Sequence, residues 1–144
     1  MLRKILLLII FSFISNIYGQ TDLDSIKCNL NVLLKFNNSL DSIDTDLAIG
    51  FFQTFDESCE NKVEYSEWSN ELLFKFLEND PTKFILVLSI KAGYDLDFLF
   101  KNLESPIHDS FNLEKMYSEV ENIDMDNYIK EEVLKRINIA KSNR

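Results

Sequence analysis

The stretch 68–106 limits this chain more than any other. It contains Phe84-Ile85-Leu86-Val87-Leu88-Ser89-Ile90, which is the longest apolar run outside the N-terminus and comes two residues after Asp80-Pro81. A carboxylate before a proline is a strong helix start: the acid caps free backbone N–H groups, and proline fits the first helical position. A helix over 82–92 is therefore expected, with Lys83 and Lys91 near its ends and Gly93 as its stop. Its β-branched content also allows a buried strand. A helix that is apolar nearly all round belongs in the centre of a fold.

The same stretch carries a near-echo. Leu73-Phe74-Lys75-Phe76-Leu77-Glu78 recurs as Leu99-Phe100-Lys101-Asn102-Leu103-Glu104, five of six residues matching at an offset of 26. Each copy is followed by a polar residue and a proline, Pro81 or Pro106. The pattern reads twice as a helix end, a corner and a new helix, which predicts stacked helical hairpins.

Periodicity extends that reading along the chain. Apolar residues at Leu23, Ile26, Leu30, Leu33 and Leu34 predict a helix over 22–36. A second is expected from Thr45 or Asp46 to about Ser58, with Gly50 inside it, and a third from Asn61, whose partner Glu64 makes a capping-box pattern. Asp95 or Asp97 should open a fifth helix through Leu103, Ser110 or Asn112 a sixth, and Asp124 or Asp126 the last. The fold class expected is all-α: about seven short helices stacked as hairpins, a short α-solenoid-like bundle. Three glycines and two prolines among 144 residues disfavour a many-turned β protein, and twelve phenylalanines disfavour disorder.

The N-terminus reads differently. Arg3 and Lys4 precede uninterrupted apolar sequence over 5–11, which Ser12 and Ser15 dilute before Asn16, and Gly19 supplies a small residue before Gln20. This is the order of a secretory signal peptide. A membrane anchor is the alternative, but a span needs about 20 predominantly apolar residues, and polar ones begin at Asn16. The expected organisation is a leader over 1–19 and a single helical domain over 20–144. The protein would then be secreted or periplasmic, with no stable membrane anchor once the leader is cut. The whole chain has a net charge of −9. Removing Arg3 and Lys4 with the leader lowers this to −11, a balance that repels nucleic-acid phosphates and anionic lipid surfaces.

Few residues invite chemistry. In an exported chain the two cysteines, Cys28 and Cys59, are expected to form one disulfide, brought together by a hairpin of the first two helices; two free thiols are the alternative. Two cysteines and one histidine lack the paired spacing of a zinc site. The sole histidine, His108, sits in Ser105-Pro106-Ile107-His108-Asp109-Ser110, which suggests a hydrolase only superficially, because a triad is a spatial arrangement. Asp41-Ser42-Ile43-Asp44-Thr45-Asp46, Asp95-Leu96-Asp97 and Asp124-Met125-Asp126-Asn127 raise calcium, but all lie where helices begin and read as caps. No catalytic residue, metal ligand or cofactor site is assigned.

Two functional readings follow. The first is a non-catalytic, exported, acidic interaction module whose partner is a protein with a basic surface; a narrower form is an inhibitor or immunity-type binder. The second is a small secreted hydrolase using His108 or a carboxylate pair. A concave pocket converging on polar groups would favour the second, and an exposed aromatic and acidic face without a pocket the first.

Overall fold

A computed structural model describes residues 25–144, and the expected leader over 1–19 lies outside the described residues. Among those described, the chain forms seven α-helices and no strand. They are α1 (Leu30–Asn37), α2 (Thr45–Gln53), α3 (Val63–Asn79), α4 (Pro81–Ser89), α5 (Leu96–Leu103), α6 (Leu113–Glu121) and α7 (Tyr128–Ser142). Short 3-10 turns at Leu40–Ser42 and Glu57–Cys59 join the first three.

Capping sets most of the helix starts. Side-chain oxygens of Asn29, Asp44, Asp80, Asp95, Asn112 and Asn127 each accept a hydrogen bond from a backbone N–H in the first turn of α1, α2, α4, α5, α6 and α7. Two starts differ from the sequence reading. α3 begins at Val63, and Lys62 before it offers no capping side chain, so the Asn61–Glu64 box does not form. α7 is opened by Asn127 rather than Asp124 or Asp126.

Three helices are shorter than their periodicity implied. The helix expected over 22–36 is broken at Cys28, whose φ of 53° is left-handed, and α1 starts only at Leu30. α2 ends at Gln53, where the buried Thr54 hydroxyl returns to the Phe51 carbonyl. α4 ends at Ser89, before the left-handed Lys91 and Gly93. Gly50 is not explained by a close helix crossing, since a Cβ there would meet nothing within 4 Å.

The helices pack in two interleaved rows. α1 lies on α3, α3 on α5 and α5 on α7, while α2 lies on α4 and α4 on α6. α1 on α2, α3 on α4, α6 on α7 and α4 on α7 join the rows. The echoed hexapeptides close α3 and α5, two neighbours in one row, and both copies bury the same Leu-Phe and Leu positions. α4 touches four other helices, and Phe84, Ile85, Val87 and Leu88 are fully buried. It is not apolar to the core all round: Leu86 and Ile90, one turn apart, remain 50% and 51% exposed.

A chain of aromatic rings fills the join between the rows. Phe36 stacks on Phe51 at 4.0 Å and meets Phe76 edge-on at 5.3 Å; Phe84 meets Phe52 and Phe76 at 5.2 and 5.3 Å. Cys28 and Cys59 are bonded, with Cα atoms 5.6 Å apart. The corner they close is drawn in further by the Cys28 N–H to the Thr54 carbonyl at 2.9 Å and by Lys27 Nζ against Asp56 at 3.1 Å. The Tyr65 and Thr54 hydroxyls lie 2.7 Å apart beside it, and burial pushes the Tyr65 phenol above its usual range. Among the described residues no helix is long and apolar enough to cross a membrane.

The contrast within α4 is testable. Leu88→Ala should lower unfolding stability by about 2–5 kcal/mol, as for buried leucines. Leu86→Ala, two residues away on the exposed stripe, should change it by less than about 0.5 kcal/mol. Urea midpoints of the two variants and the parent measure both.

Candidate functional site

Two residue stripes on the first turns of α3 line one wall of a surface groove. Positions three, four and seven apart share a helix face, so Val63, Glu67 and Glu71 form one stripe and Glu64 and Trp68 the next. The opposite wall is Ile107 and His108 from the α5–α6 corner. The floor is the half-buried Trp68, which packs against the core on its inner side. Val63 and Ile107 are exposed apolar residues, 66% and 42% accessible, within the lining.

The corner is where the echo fails, and the reason is physical. After Glu78 the chain restarts at once, because Asp80 caps α4 and Pro81 opens it. After Glu104 no helix forms until Leu113. Ser105-Pro106-Ile107 is instead captured by Asn70, a buried side chain on α3. Asn70 Nδ2 donates to the Asn102 carbonyl at 3.0 Å and the Ser105 carbonyl at 3.2 Å, and its Oδ1 accepts from the Ile107 N–H at 3.0 Å. One amide thus satisfies a last-turn carbonyl of α5 and two backbone groups of the corner that follows it. Arg144 holds the far side, donating to the carbonyls of His108 and Phe111, both at 2.9 Å, and of Asp109 at 3.3 Å. Phe111 stacks on Phe74 at 5.2 Å and anchors the corner to α3.

The groove is rich in negative charge. Glu71 is paired with Lys75 at 2.6 Å and lies 3.8 Å from His108 Nε2. Among the described residues no cation stands within ion-pair distance of Glu64 or Glu67.

The residues singled out from sequence fall in separate places. Cys28 and Cys59 fasten the α1 and α3 ends of the fold and stand outside this groove. His108 is in the groove but exposed, and Ser105, His108 and Asp109 are not assembled as a triad. Ser105 is held through its carbonyl by Asn70, and Asp109 faces Arg144 at 3.8 Å. Of the acidic clusters, Asp44 and Asp95 serve as caps. Among the described residues no group of three or more His, Cys, Asp or Glu side chains is placed to hold a metal ion. Sequence reasoning overlooked Asn70, Arg144, Glu64 and Glu67 as a set. The one signal for Asn70 was an amide within a stretch whose following residues are mostly apolar. No protein family, no curated protein and no solved structure matches this chain.

The role of Asn70 in shaping the wall can be measured. Asn70→Ala should cost about 1–3 kcal/mol, the loss of three hydrogen bonds made by a buried amide. Amide exchange should accelerate at Ile107 while Leu134, in α7, keeps its protection relative to global stability. Equal loss at both sites would mean that Asn70 supports the whole fold and not this corner.

Proposed function

We propose that this protein is an exported, non-catalytic helical module that binds another protein presenting a basic surface. The observation that carries the reading is the pair Glu64 and Glu67 beside Trp68, which have no ion-pair partner among the described residues and are flanked by the exposed Val63 and Ile107. Interaction surfaces combine an aromatic anchor, apolar contacts and a charged rim in this way. The charge of −11 expected after leader removal works in the same direction, because a field of one sign steers an opposite partner into contact. The Cys28–Cys59 bond is the chemistry of an oxidising compartment and supports export. An inhibitor or immunity-type role, in which the module occupies a basic toxin or hydrolase outside the cytoplasm, is the narrower form of the same proposal.

The test is capture of the partner from native periplasm or culture medium, followed by binding kinetics at two ionic strengths. Exposed charges are screened over about 8 Å at physiological salt, so association should slow by about tenfold or more between low and high salt. Dissociation should change less. An association rate flat across salt would contradict a basic partner.

A further inference from the structure

Any partner that covers the α3 groove must remove water from Glu64 and Glu67. Each would then be a buried carboxylate with no counter-charge among the described residues, which is costly by several kcal/mol. An apolar or acidic segment therefore gains little from the exposed Val63 and Ile107, because seating on them strands two charges. A cationic side chain reverses the sign of that cost. It also finds the indole of Trp68, the aromatic group that attracts cations best. The wall opposite α3 is already fixed by Asn70 and Arg144, so little ordering of the corner is needed on binding.

We infer that this groove receives a lysine or arginine side chain of the partner protein, held against Trp68 between Glu64 and Glu67, with neighbouring apolar residues of the partner on Val63 and Ile107. This rests on the proposal that the partner is a protein with a basic surface, and it assigns that surface to one place. Glu71 contributes less, since Lys75 already neutralises it. The other acid-rich corners lack this combination. Asp44 and Asp95 are engaged as helix caps, and no aromatic residue lines the hollow beside Asp44 and Asp46.

The chain has one tryptophan, and it lines this groove, so its fluorescence responds to what is seated there. The probe is a blocked pentapeptide, acetyl-Val-Arg-Val-Arg-Val-amide, and its counterpart with citrulline, a neutral isostere, in place of arginine. Titrated into the intact protein, the arginine peptide should give a saturable change in Trp68 emission. The citrulline peptide should bind at least tenfold more weakly. A Glu64→Gln/Glu67→Gln double variant, at exposed positions and with unchanged thermal unfolding, should lose at least tenfold in affinity for the arginine peptide. Equal binding of the two peptides, no saturable response to the arginine peptide, or full affinity in the double variant would each overturn the assignment. These failures are separable from failure of the broader reading. A captured partner that associates in a salt-dependent way with parent and double variant alike would keep the basic partner and remove this groove.

Discussion

Everything in this fold hangs on the contact of phenylalanine rings from four helices. Phe36, Phe51, Phe52, Phe76 and Phe84 come from α1, α2, α2, α3 and α4 and form one connected set of stacked and edge-on pairs. Rings of this size bury large apolar areas and prefer defined mutual angles. They therefore fix how the two helix rows meet as well as how strongly. The disulfide and the Thr54–Tyr65 contact seal the edge of this set, where α2 ends and α3 begins. A loop of that size contributes roughly 3–4 kcal/mol in the chain-entropy account.

The groove depends on that frame at one remove. Among the described residues α3 is the longest helix, and it carries the core on one side and Glu64, Glu67 and Trp68 on another. Its inner face is held by Leu72, Leu73, Phe76 and Leu77, all fully buried. Its buried amide, Asn70, then reaches across to the α5–α6 corner and fixes the facing wall. A surface that would otherwise be a mobile connection becomes a wall of defined shape. Arg136, bridging Glu104 and Glu132, ties the end of α5 to α7 just below that corner. Binding at such a site draws on order already present, which is why the proposed function is placed here and not at the acidic loops.

Where local chemistry decided the structure, the sequence was readable. Asp80-Pro81 starts α4, and Asp95 and Asn112 open helices where expected, because capping needs only residues within one turn. All-helical architecture and rows of stacked helices followed from periodicity and the echo. What stayed hidden was tertiary. Cys28 takes a left-handed conformation that truncates an otherwise continuous helical stripe, and its N–H is claimed by Thr54, distant in sequence. Leu86 and Ile90 look like core in an all-apolar run and emerge at the surface because α4 has neighbours on its other sides only. The second proline corner does not begin a helix, since its hydrogen bonds go to Asn70, more than thirty residues earlier. The groove had no local motif for the same reason: its two walls come from separate parts of the chain.

Zero-length carbodiimide chemistry on the captured complex shows whether a partner's cation sits between Glu64 and Glu67. That reagent joins a carboxylate only to an amine in direct contact with it. A seated lysine should appear by mass spectrometry as a peptide linking it to Glu64 or Glu67; a seated arginine, whose guanidinium the reagent does not join, should instead shield Glu64 and Glu67 from coupling to added glycine ethyl ester. Cross-links running only from other carboxylates, such as Asp41 and Asp46 or Asp124 and Asp126, with Glu64 and Glu67 still open to the ester, would contradict this placement.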